Sequence, residues 1–139
     1  MEYLIVNAKE RTRQMVDTQT INDAYKIAGL KAGELDHGNI AYDQHGNSLN
    51  LFVYQYGFYE PVDQAYFFSI HRRLFVGNAV LYAADQQGET IPVLTAPEIM
   101  FYKSYHEVEE AIARDEIDRP YNAVNGVVTW QWPQSQGDE

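Results

Sequence analysis

The chain has 139 residues, about one domain, and carries 20 acidic against 10 basic side chains, for a formal net charge of −10. That balance argues against binding the nucleic-acid backbone or an anionic membrane, both of which need a basic footprint. The absence of cysteine excludes disulfides, thiolate nucleophiles and cysteine-ligated zinc.

The first residues hold a short apolar run, Tyr3 to Val6, with an acid at position 2, which does not read as a signal peptide. Lys9, Arg11 and Arg13 then alternate with Glu10 and Thr12. This predicts one long bent strand, or two strands with a turn near residues 8–11, and in an extended chain it puts the three basic residues on one face. Such a stripe either meets phosphate or is a solvated strand face.

A helix is predicted from Thr20, because Ile21, Ala24, Tyr25 and Ala28 fall on one helical face. Thr18 or Thr20 can cap its start, and Gly29 can end it in the left-handed conformation. Residues 30–38 read as a loop. A strand at 40–42, turn chemistry at 43–47 and a strand at 49–56 make a hairpin, with Leu49, Leu51 and Val53 on one face. Gly57 ends it, and residues 58–63 form a loop.

Residues 65–84, AYFFSIHRRLFVGNAVLYAA, read as a β-hairpin at the centre of a sheet. Tyr66 to Ile70 is an aromatic and β-branched run, His71-Arg72-Arg73 is a polar interruption, and a second apolar run is broken by Gly77-Asn78. Glycine inside a strand marks a bulge or a close approach to the backbone. The stretch is therefore either a kinked core strand or the floor of a pocket.

A turn at 85–88 leads to an edge strand at 89–93, since Pro92 is tolerated at an edge. Thr95-Ala96-Pro97-Glu98 and Ser104-Tyr105-His106-Glu107 are capping patterns. They predict one kinked helix or two short ones from about Ala96 to Asp118, stopped by Pro120. A final strand is expected at 124–132. The fold expected is α+β: one domain over 1–133, a mainly antiparallel sheet of about six strands with two helical segments, and a polar tail at 134–139. No stretch is long enough to span a membrane.

The chemistry legible in the residues is that of binding. The four histidines, at 37, 45, 71 and 106, show no metal-ligand spacing, and there is no nucleophile elbow or phosphate loop, so no metal, cofactor or catalytic residue is expected. Phe68 and Asn78 lie on the two runs of the central hairpin, with Arg72 and Arg73 at its turn. An aromatic face stacks on a base, an asparagine reads a base edge or ribose hydroxyl, and arginine holds phosphate. On spacing alone, an aromatic in a central strand is ordinarily core, and arginines at a hairpin tip are ordinarily solvated.

The run Tyr66 to Ile70, followed by Arg73-Leu74-Phe75-Val76-Gly77-Asn78-Ala79-Val80-Leu81-Tyr82, resembles a family of small phage proteins, the Thoeris anti-defence proteins of the first type. The resemblance implies a cytoplasmic sponge, active in the host cell, that sequesters the cyclic ADP-ribose isomer made by the defence system without cleaving it. It also implies a homo-oligomer with ligand pockets between subunits. In that family a phenylalanine stacks on the adenine and an asparagine ten residues later lines the same pocket, a spacing that Phe68 and Asn78 share. The family's pyrophosphate-holding arginines have candidates by charge in Arg72, Arg73, Arg114 and Arg119. The alternative is an acidic protein-binding inhibitor of the DNA-mimic type, aimed at a nuclease or restriction enzyme, with carboxylates from Glu107 to Asp118 aligned on one face. An enzyme acting on a nucleotide ranks below both.

Overall fold

A computed structural model describes residues 1–93, 96–118, 123–124 and 127–128. The expected tail at 134–139, most of the expected last strand, Pro120 and Arg119 lie outside the described residues.

The chain opens with a hairpin, β1 (Glu2–Asn7) and β2 (Thr12–Asp17), so the second of the two sequence alternatives holds. Helix α1 (Ile21–Ala28) follows, with the Thr20 side chain accepting from the Asp23 N–H and Gly29 closing the helix at φ 75°. Strand β3 (Leu35–Tyr42) begins within the stretch expected to be loop, and it pairs with β4 (Ser48–Tyr54). Polar Asp36, His37 and Asn39 hide this strand from hydrophobic patterning, because an edge position leaves alternate side chains in water. Next come β5 (Phe67–Ile70), β6 (Arg73–Val76), β7 (Ala79–Ala84) and the two-residue β8 (Thr90–Ile91).

Residues 96–99 are not helical, and β9 (Met100–Tyr102) stands where a first helical segment was expected. Pairing of β9 with β5 wins over local capping propensity there. Helix α2 (Tyr105–Ala113) starts at the second capping pattern: Ser104 accepts from the Glu107 N–H, and the Glu107 carboxylate accepts from Lys103 at 2.8 Å. A last pair, β10 (Ala123–Val124) and β11 (Val127–Val128), is antiparallel.

Among the described residues the other strands form an antiparallel sheet of six, ordered β2-β1-β7-β4-β3 with β8 alongside the end of β7, and a separate sheet of three, ordered β6-β5-β9. The stretch 65–84 is therefore not one hairpin in one sheet. Its first two strands form the hairpin of the small sheet, and its third is the central strand of the large one. Gly77, at φ 86°, and Asn78 carry the chain across. Glycine adopts this left-handed geometry without steric penalty.

Strand period assigns the layers. Leu4, Val6, Leu51, Val53, Ala79 and Leu81 face Phe68, Ile70 and Phe75 across the two sheets. Tyr3, Ile5 and Val80 face α1 on the outside of the large sheet. Phe67, Leu74, Val76 and Tyr102 face Val108 and Ala111 of α2 on the outside of the small one. The result is α+β in four layers: helix, sheet, sheet, helix. Phe67 and Phe68 are both fully buried on opposite faces of one strand. Burial of each ring contributes about 2–3 kcal/mol. Among the described residues, no helix is long and apolar enough to cross a membrane.

Candidate functional site

The β5–β6 hairpin closes through two residues, His71 at φ 50° and Arg72 at φ 69°. Positive φ at both central positions gives the turn that matches strand twist, and asparagine and glycine ordinarily occupy it. Side chains held in this backbone region are strained, and such strain concentrates at functional sites. The turn is braced by residues 115–118. The Arg72 guanidinium lies 2.7 Å from the Asp115 carboxylate and 3.3 Å from that of Asp118, and the Asp118 N–H donates to the Arg72 carbonyl at 2.7 Å. The hydrogen bond to Asp115 raises the Arg72 pKa above its ordinary value.

Two clefts flank this turn, and His71 lines both. The first, of about 350 Å³, has apolar walls that include Leu49, Ile91, Val93 and Pro97, and a rim of Tyr42, Asp43, Asn47 and Ser48. Tyr42 is 59% exposed. The second, of about 440 Å³, is lined by Ser69, His71, Arg72, Glu98, Met100, Tyr102 and Glu116. At its floor the buried Ser69 hydroxyl lies 2.9 Å from the Tyr102 hydroxyl. An apolar slot with an exposed ring at its lip suits a base. A polar cleft beside it, carrying a guanidinium, suits an anionic group.

Of the six residues singled out from sequence, Arg119 lies outside the described residues, and of the other five only Arg72 lines either cleft. Phe68 is fully buried between the sheets, stacked on Phe75 with ring centroids 5.3 Å apart. Asn78 spends both ends of its amide inside the fold: its oxygen accepts from the Ala8 N–H at 3.1 Å and its NH₂ donates to the Ala28 carbonyl at 2.9 Å. The spacing of ten places these two residues in different sheet contexts, not side by side in either cleft, because the chain changes sheets between them. Arg73 donates to the Asn39 carbonyl. Arg114 pairs with Glu116 at 3.0 Å and reaches Glu110 at 3.8 Å, and the Glu116 bond raises the Arg114 pKa while lowering that of Glu116.

The basic stripe does not form one strand face. Lys9 and Arg11 lie in the turn before β2, Arg11 at φ 55°, with the Lys9 ammonium 5.9 Å from the centre of the Tyr66 ring. Arg13, in β2, donates to the Pro97 carbonyl at 2.9 Å. Nor is the acidic run from Glu107 to Asp118 bare. Glu110 meets His106 and Arg114, Glu116 meets Arg114, and Asp115 and Asp118 meet Arg72. Among the described residues, no group of three or more histidine, aspartate or glutamate side chains is placed to hold a metal ion.

Sequence reasoning missed Tyr42, Ser69 and Tyr102 as cleft residues. The first sits at the end of an edge strand of which patterning revealed only residues 40–42, with nothing to show that a cleft lies beside it. The other two belong to strands β5 and β9, whose pairing is non-local. Comparison of the chain with known protein families, with curated proteins and with solved structures found no match in any of the three.

Proposed function

We propose that this protein is a non-catalytic sponge: it binds and sequesters a small cyclic nucleotide signal of the cyclic ADP-ribose class without cleaving it, as a phage countermeasure acting in the cytoplasm of the infected host, and it does so as a homo-oligomer. The observation that supports this reading is the pair of clefts meeting at the strained His71-Arg72 turn. The base enters the apolar cleft against Tyr42, and the pyrophosphate meets Arg72 in the polar one. Arg72 is held by Asp115 and Asp118 in exposed ion pairs. Such pairs are weak in water, so a pyrophosphate can displace them. In this form of the reading Phe68 and Asn78 support the site from within the fold and do not touch the ligand. The acidic-inhibitor alternative is less favoured, because four carboxylates of its expected face are already paired.

Calorimetric titration with the cyclic ADP-ribose isomer, followed by heat release and chromatography of the bound material, tests this. Tight binding with intact ligand recovered is expected. Tyr42→Ala and Arg72→Ala should each weaken it roughly tenfold or more, from lost stacking and lost charge-assisted hydrogen bonds. Binding that survives both substitutions overturns the site. A chemically changed ligand makes the protein an enzyme, and no binding of any cyclic nucleotide overturns the function.

A further inference from the structure

Strand β2 ends the large sheet, and among the described residues β1 is its only strand partner. An edge strand offers a row of unpaired N–H and C=O groups, and monomers blunt it with proline, charged side chains, a bulge or a very short strand. β2 has no proline, lysine or bulge and is not short, and its two charges, Arg13 and Asp17, are of opposite sign. It runs six residues, TRQMVD, in unbroken register with β1. Five of the six side chains are exposed, Met15 to 39%.

The strand is also self-complementary. Arg13, Met15 and Asp17 share one face, as strand period requires. An antiparallel pairing of two copies centred on Met15 sets each Arg13 opposite the partner subunit's Asp17, with the two methionines together on the two-fold axis. A parallel alignment would set Arg13 beside Arg13 and Asp17 beside Asp17, like charges directly opposite, which is destabilising. A register shifted by one residue sets Arg13 opposite valine and leaves both charges without a strand partner. Both charged side chains are already oriented by their own subunit: Arg13 by the Pro97 carbonyl at 2.9 Å, and Asp17 by the N-terminal amine at 2.7 Å.

We infer that the outer edge of β2 is a homodimer interface, in which β2 pairs antiparallel with β2 of a second copy through two symmetric Arg13–Asp17 contacts around Met15, joining two six-stranded sheets into one. This interface does not depend on the ligand reading. Pairing through one strand falls below the standard interface size, under about 1,200 Å², so association in the micromolar range is expected.

Sedimentation equilibrium of the full chain, from about 1 to 500 µM, brackets that range. The wild type should pass from monomer to dimer. Arg13→Glu and Asp17→Lys each replace two attractive contacts by two repulsive ones and should weaken the dimer roughly tenfold or more. The double exchange, Arg13→Glu with Asp17→Lys, should restore it to within about threefold. A monomer at every concentration, a dimer indifferent to the single exchanges, or a double exchange without recovery overturns the inference. Hydrogen exchange of the wild-type amides at residues 12–17 reads the same pairing without substitution. It should slow as concentration rises, and concentration-independent exchange overturns the interface.

Discussion

Replacing Asn78 separates a structural tie from a ligand contact. Its amide bonds the Ala8 N–H and the Ala28 carbonyl, which belong to residues 1% and 2% exposed, so water does not readily replace it. The Ala28 carbonyl is one of the orphan acceptors at the end of α1, and Asn78 satisfies it. Asn78→Ala leaves one buried donor and one buried acceptor without a partner. At about 1–3 kcal/mol for each such group, the loss is about 2–6 kcal/mol, a large share of the roughly 5–15 kcal/mol that holds a domain together. Asn78→Asp keeps the acceptor for Ala8 but turns a carboxylate toward the Ala28 carbonyl at the negative end of a helix. That environment raises the new carboxyl's pKa above its unfolded value of about 3.9. The protonated form can donate to Ala28, so its contribution to stability is present below the unfolded value and is lost as pH rises through the folded one. Urea unfolding should therefore show Asn78→Asp no more stable than Asn78→Ala at pH 7 and gaining on it toward pH 4. A stability for Asn78→Ala within about 0.5 kcal/mol of wild type, coupled with lost ligand affinity, would refute the tie and return Asn78 to a binding role.

Phe68→Ala should destabilise by about 3–5 kcal/mol in the same assay, as an interior cavity does, whereas Phe68→Leu should retain most of the stability; equal, small losses would mean that the ring is not core. Gly77→Ala meets no atom within 4 Å of the added carbon, so its effect should be backbone strain alone, about 1–2 kcal/mol by thermal unfolding, and a neutral result would show that the crossover is not left-handed. Burial holds the His37 pKa below 6.5, and its ring lies against Tyr82 with a 2.8 Å contact between Nε2 and the hydroxyl. The neutral ring is thus favoured in the folded state: its contribution is present above 6.5 and is lost as pH falls through the depressed value. His37→Asn should flatten stability between about pH 7 and 5, and an unchanged pH profile would contradict this.

The α+β class, the first helix with both its caps, the 43–47 turn, the inward face of β4 and the Ser104 start of α2 were legible because each rests on local spacing. What escaped was non-local. The first half of β3, residues 35–39, is mostly polar, and pairing with β4 extends the expected 40–42 strand through it. β9 lies in a stretch with a helix-start signature, and pairing with β5 overrides it. Residues 65–84 read in sequence as one hairpin of two apolar runs, whereas they form three strands divided between two sheets, a division that Gly77-Asn78 effects. That division also governs the site. Phe68 and Asn78 look like partners along the chain, yet neither lines the clefts. Arg72 was legible as a turn cation, but its place between two clefts depends on Tyr42 and Tyr102, residues 30 positions away on either side.

The crossover at Gly77-Asn78 has a kinetic consequence on the ribosome. The β1–β2 hairpin emerges first, but β1 pairs on its other side with β7, and the Ala8–Asn78 bond that locks this arrangement joins positions 70 apart. At about 5–20 residues per second, the apolar faces of Tyr3, Leu4, Ile5 and Val6 wait roughly 4–14 s for their strand to be made. During that interval β1 is an unpaired, sticky edge of the nascent chain, while the charged and amide-bearing β2 shields its other flank. Slower translation of residues 9–78, or a chain stalled before Ala79, should therefore yield aggregates seeded by the first seven residues.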